Sequence, residues 1–177
     1  MSSDERGTLT GERADLTQAL DKQRAFLLQT VRGLTDDQAA QHTTASELCL
    51  GGIIKHVAAV EQRWADFISV GAAAMGSTAW DDESAVQAYL DGFRMLPGET
   101  LAGLIGEYEA TARLTDQLVA EFPDLDASHP LPEAPWYEPG ASWSARQVLL
   151  HILAETAQHC GHADIIRESL DGAKTMG

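Results

Sequence analysis

Basic residues are scarce in this chain. Its 177 residues include 12 Lys and Arg against 27 Asp and Glu, for a formal charge of −15. So small a stock of cations cannot line a phosphate-binding track, which argues against nucleic acid, and the negative charge disfavours anionic membrane surfaces. Cysteine is nearly missing. Cys49 and Cys160 cannot build a disulfide framework, so a reducing, cytoplasmic setting is expected. The amino-terminal run MSSDERGTLTGER is polar and acidic, unlike a signal peptide. No apolar run approaches the ~18 residues of a membrane span. Internal repeats and convincing alternating strands are missing as well. So are a Gly-rich phosphate loop, a His-Glu-x-x-His motif, paired Glu-x-x-His motifs and a nucleophile elbow. What is plentiful is apolar residues, 44% of the chain, enough to bury a real core in one domain spanning 1–177.

The apolar positions recur every three or four residues, as on helices. Leu16, Leu20, Leu27, Val31 and Leu34 predict a helix from about Glu12 to Gly33. Thr35 and Gln38 form a capping box that opens a short turn. Ile53, Val57, Val60, Trp64 and Phe67 predict a helix from Leu50 to Val70, stopped near Gly71. The tract GAAAMGSTAW reads as a loop, and Asp81 to Leu90 as a short helix closed by Gly92 and Pro97. Leu101, Leu104, Tyr108, Leu118 and Phe122 predict a helix from Glu99 to Glu121. Five of the six prolines then fall between Pro123 and Ser142. So long a loop is either functional or a crossover that wraps the domain. Ser144 and Gln147 form a second capping box, flanked by Trp143 and Val148 at hydrophobic-staple positions, and the last helix should run to Leu170 and stop at Gly172. The expected class is all-α, a four-helix bundle with a Pro-rich loop before its last helix.

That last helix carries the chemistry. With about 100° per residue, and His151 at zero, Glu155 falls near ~40°, His159 near ~80° and His162 near ~20°. All four share a face with Val148, Ile152, Ala163 and Ile166, which implies that it points inward. A carboxylate buried among imidazoles needs a partner, and a divalent cation supplies one. His56, inside the apolar stripe of the second helix, is the natural third ligand. The candidate metal set is therefore His56, Glu155 and His159, three ligands with coordination left open for water or substrate. Taken singly, the same residues read as hydrogen-bonded core histidines and a helix-surface pair. His162 is a candidate general base or substrate contact. His151 supports a ligand or simply marks a polar edge. Cys160 lies on the opposite side of the wheel, and Cys49 reads as a small buried residue. Acids such as Asp36, Asp37, Asp81, Asp82, Asp124 and Asp126 read as solvated, leaving Glu155 as the one carboxylate placed for chemistry.

Two segments, LCLGGIIKHVAAVEQRW and WSARQVLLHILAETAQHCGHADIIRESLDG, resemble the DinB/YfiT-like superfamily of metalloenzymes, and the likeness covers nearly the whole chain. It implies an up-down-down-up four-helix bundle, a zinc or nickel ion between the second and fourth helices, and a homodimer. Many members use three histidines. Here Glu155 takes the place of one, with His56 and His159 matching the others, a set similar to that of mycothiol-dependent maleylpyruvate isomerase. The superfamily includes S-transferases and isomerases that use low-molecular-weight thiols such as mycothiol. The resemblance thus implies a metal that holds a small thiol as thiolate, ready to attack a small-molecule electrophile. Arg146 or Arg167 would bind a carboxylate on cofactor or substrate. The alternative is a non-catalytic, metal-binding or stress-associated bundle. Trp64 and Trp143 would either line the pocket or belong to the core.

Overall fold

The computed structural model describes residues 9–76 and 83–175. The protein is all-α apart from one small hairpin among these residues. In chain order the elements are α1 (Gly11–Thr30), α2 (Asp36–Ala39), α3 (Leu50–Val70), a 3-10 turn (Gly71–Met75), α4 (Glu83–Asp91), α5 (Leu101–Glu121), β1 (Ser128–Pro130), β2 (Ser142–Ser144) and α6 (Ala145–Asp171). The expected loop after α3 therefore begins as a turn of helix. Asp81, Asp82 and the end of the GAAAMGSTAW tract lie outside the described residues.

Local chemistry sets the helix ends. Thr35 and Gln38 exchange side-chain and backbone hydrogen bonds in a capping box at α2, and Ser144 and Gln147 do the same at α6. Cys49 caps α3 through its sulfur, which accepts from the Gly52 amide. Gly71 ends α3 at φ +71°, a conformation that glycine adopts without strain. Thr100, not Glu99, caps α5. Asp36 does more than solvate, because its carboxylate accepts a 2.7 Å hydrogen bond from the Leu101 amide and ties α2 to the start of α5.

The four long helices pack on one another, with α3 against both α5 and α6, and α1 against α6 and α5. The core falls into two apolar halves. One gathers Leu27, Leu50, Ile53, Val57, Leu104 and Ile166; the other gathers Leu20, Trp64, Phe67, Val119, Leu149 and Ile152. A polar layer accompanies them. The Arg24 guanidinium of α1 bonds the Glu61 carboxylate of α3 at 2.5 Å and Asp116 of α5 at 2.7 Å. Glu61 is only 1% exposed, so a second carboxylate besides Glu155 faces inward, and it does so in an ion pair. Burial is tolerable here because the charge is paired at hydrogen-bond distance.

The expectation of no strands also needs correction. β1 and β2 pair antiparallel, with His129 opposite Trp143, and close the base of the Pro-rich loop. Only three residues pair on each side, and Pro130 ends one of them, so no alternating run was there to see. The hairpin continues into α6: the Ala145 and Arg146 amides donate to the Ala127 and Leu125 carbonyls and satisfy free N–H groups of its first turn.

Candidate metal centre

α3 supplies His56 and α6 supplies Glu155 and His159, one helical turn apart. One ligand atom from each lies within 4.8 Å of the other two. The His56 and His159 rings meet edge to face, with centroids 4.8 Å apart. The Glu155 carboxylate stands between two imidazoles, 3.8 Å from His151 Nε2 and 3.9 Å from His159 Nε2. Those separations are too long for hydrogen bonds. A carboxylate oxygen and two imidazole nitrogens, converging without bonding one another, suit a divalent cation that small side-chain rotations would enclose. The His159 Nδ1 atom is buried without a hydrogen-bond partner among the described residues.

Burial shapes the electrostatics. It lowers the pKa of His56 to about 4, helped by the neighbouring charges of His159 and Arg63. Burial also lowers His151 and His159, against the opposing pull of Glu155. All three imidazoles are therefore neutral near pH 7, the form that ligates a metal.

Two glycines admit the chain that covers α3, and one of them, Gly52, places the His56 ring. The α4–α5 connector presses so closely on α3 that a Cβ at Gly52 would lie 1.9 Å from the Phe93 carbonyl oxygen. The approach lays the Phe93 ring on His56, with centroids 4.1 Å apart and planes 24° from parallel. At Gly51 a Cβ would run into the Met95 sulfur. The GGIIKH segment thus has a physical account: its glycines admit the strand of chain that covers the histidine.

A cavity of about 720 Å³ opens beside the three candidate ligands. One wall is Phe93 and Tyr89. The other is Trp64 stacked on Trp143 at 4.9 Å, with His151 packed against both. Pro132, Trp136 and Tyr137 of the Pro-rich loop complete the lining, so that loop is part of the cavity and not merely a crossover. Both tryptophans named from sequence line it.

The remaining candidates lie elsewhere. His162 sits 5.4 Å from the His159 ring, does not line the cavity, and buries an unpartnered Nδ1. Arg146 is bound to Glu12 and Asp126 at the far end of α1. Arg167 holds Asp171 and the carbonyls of Thr30 and Arg32. Cys160 points away, its thiol donating to the Gln23 carbonyl, and burial raises its pKa to about 11. The cation that does line the cavity is Arg63, which sequence reasoning passed over. A signal was available: Arg63 follows His56 by two helical turns, and so shares its face.

Among curated proteins none matches the chain. A solved structure described as the conserved protein of locus from Enterococcus faecalis matches over 93% of this chain and 100% of that one, with a TM-score of 0.67 and 11% identity, a likeness of fold. The family model for mycothiol-S-transferase (MST) matches residues 15–172. With the match running over nearly the whole sequence, the chain belongs to the mycothiol-S-transferase family.

Proposed function

We propose that the protein is a metal-dependent thiol S-transferase. In this reading α1, α3, α5 and α6 form an up-down-down-up bundle, and His56, Glu155 and His159 hold a divalent ion, zinc or nickel. A low-molecular-weight thiol such as mycothiol is one substrate and an electrophile the other. The observation that carries the reading is that the three ligand atoms converge at the wall of a cavity and not inside a closed core. Structural metal sites are closed, whereas catalytic ones keep a position open.

The ion, when bound, supplies the positive charge that keeps a thiol sulfur ionised at neutral pH. The chain's own residues do the rest. Phe93 orients the His56 ring. His151 faces the cavity and stands 3.8 Å from Glu155, where a neutral Nε2 can take the thiol proton. The general-base role that the sequence suggested for His162 passes to His151, because His162 does not reach the cavity. The aromatic lining borders the reacting sulfur with apolar surface.

Elemental analysis of purified protein should find close to one divalent ion per chain, and His56→Ala or His159→Ala should abolish it. Zinc- or nickel-loaded protein should couple mycothiol to 1-chloro-2,4-dinitrobenzene, and neither variant should do so. Stoichiometric metal without thiol-dependent product, across thiols and electrophiles, would overturn the enzyme reading and leave a non-catalytic metal protein.

A further inference from the structure

The cavity has a charge character opposite to that of the protein around it. Among its described lining residues the only acid is Glu155 and the only permanent cation is Arg63. An imidazole ligates a metal in its neutral form and adds no charge. Once a divalent ion sits on His56, Glu155 and His159, its two charges outweigh the one carboxylate, and Arg63 adds a third positive charge. A chain of charge −15 then presents a net positive cavity.

Arg63 is also at liberty to bind something. Other arginines are committed: Arg24 to Glu61 and Asp116, Arg94 to Asp91, Arg146 to Glu12 and Asp126, Arg167 to Asp171. Arg63 is exposed at the rim and enters no ion pair among the described residues, yet it stands close enough to influence His56 electrostatically. A guanidinium presents a planar fork that fits a carboxylate with two parallel hydrogen bonds.

The space between Arg63 and the ligands is flanked by flat rings. Phe93 lines it on one side, with Tyr89 meeting the Phe93 ring edge to face at 5.0 Å and 71°. Trp64 and Trp143, nearly parallel, form the other, and Tyr137 meets Trp143 edge-on at 5.9 Å. A cavity lined by several aromatic rings favours a planar, conjugated guest, which can stack without losing rotamer freedom. The cavity's ~720 Å³ falls within the usual range for small-molecule sites and can take a ring beside a small thiol.

We propose that the electrophile used by this site is a planar aryl-conjugated acid, its carboxylate held by Arg63 and its ring among the aromatic side chains that line the cavity. The inference rests on the thiol S-transferase reading and names its second substrate. For an aryl enone acid the chemistry balances without a further reagent. The thiol sulfur bonds to the β-carbon, the alkene electron pair moves to the α-carbon, and the proton lost by the thiol ends there. Nothing leaves, and nothing outside is oxidised or reduced.

Binding is tested first, without turnover. Zinc-loaded protein is titrated calorimetrically with 3-benzoylpropionate, a saturated and unreactive aryl acid, and with its uncharged amide. The acid should bind at least about tenfold more tightly, the value of a charge-assisted bidentate contact. Arg63→Gln should shrink that preference to less than about threefold, and Arg63→Lys should restore part of it. Butyrate, which lacks the ring, should bind at least about tenfold more weakly than the aryl acid. Equal binding of acid and amide, or a preference untouched in Arg63→Gln because the metal alone takes the carboxylate, would overturn the proposal.

Mycothiol conjugation to trans-3-benzoylacrylate and to its amide then separates the two ideas. Faster conjugation of the acid, lost in Arg63→Gln, is expected. Equal rates for both, unaffected by Arg63→Gln, would overturn the acid preference and leave the transferase reading standing. No conjugation of either, together with Arg63-dependent binding, would remove the transferase reading and keep the ligand class.

Discussion

Two glycine-to-alanine substitutions, chemically the same, should act in opposite directions. Gly52 lies in the first turn of α3, against the backbone of the α4–α5 connector. A Cβ there would stand 1.9 Å from the Phe93 oxygen, 2.4 Å from its carbonyl carbon and 2.8 Å from the Arg94 nitrogen. Ordinary contact begins near 3.4 Å, so the connector must withdraw by about 1.5 Å, and none of the three obstacles is a flexible side-chain tip. Overpacking of this kind destabilises by roughly 1–3 kcal/mol. The helical preference for alanine returns only about 0.5–1 kcal/mol. Gly52→Ala should therefore lose about 1–2 kcal/mol. Gly106, inside α5, has nothing within 4 Å of its would-be Cβ, so Gly106→Ala should gain about 0.5–1 kcal/mol. Urea denaturation reads both through the midpoint at constant slope. The consequences should also differ at the metal, because only Gly52 holds Phe93 over His56. Zinc affinity should fall in Gly52→Ala and stay level in Gly106→Ala. A Gly52→Ala protein as stable as the parent, with unchanged zinc affinity, would refute the claim that this contact places the histidine.

Three further outcomes follow from other parts of the molecule. Arg24→Met should cost about 3–5 kcal/mol by leaving Glu61 buried and unpaired, while Arg24→Met/Glu61→Met should be less damaging than the single change. A double variant no more stable than Arg24→Met in urea would contradict the buried pair. Zinc at ~100 times its dissociation constant should add about 2.7 kcal/mol and raise Tm by roughly 5–11 °C, an increment that EDTA removes and His159→Ala never shows. Because burial raises the Cys160 thiol to about 11, only about one part in a thousand is thiolate at pH 8, and the fraction grows as pH rises toward 11. Native Cys160 should therefore resist iodoacetamide at pH 8 by at least about a hundredfold relative to urea-unfolded protein. Mass spectrometry showing equal alkylation in the two states would sink that reading.

Features that depend on neighbours in sequence were legible from sequence. The boxes at Thr35–Gln38 and Ser144–Gln147, and the stops at Gly71 and Gly172, are local hydrogen-bond and backbone arrangements. The wheel positions of Glu155 and His159 follow from helix pitch alone, and the structure brings both to His56. Features that depend on partners far apart were not legible. Glu61 looks like any helix acid until Arg24, 37 residues earlier, is seen beside it. Nothing near Phe93 says that it will lie on His56, since that contact needs the close approach at Gly52. Arg146 and Arg167 looked as available as Arg63. Which arginine was free depended on carboxylates and carbonyls supplied by other elements.

The Trp64–Trp143 stack has an optical consequence. Three of the chain's four tryptophans, Trp64, Trp136 and Trp143, line this one cavity. Two indoles 4.9 Å apart and 24° from parallel share their excited states, so the pair should give a coupled near-ultraviolet circular-dichroism signal. Such signals vanish with fixed side-chain packing. Much of the protein's ultraviolet spectrum is thus a readout of a single cavity, and a nickel ion or an aryl guest bound there should alter it before any label is attached.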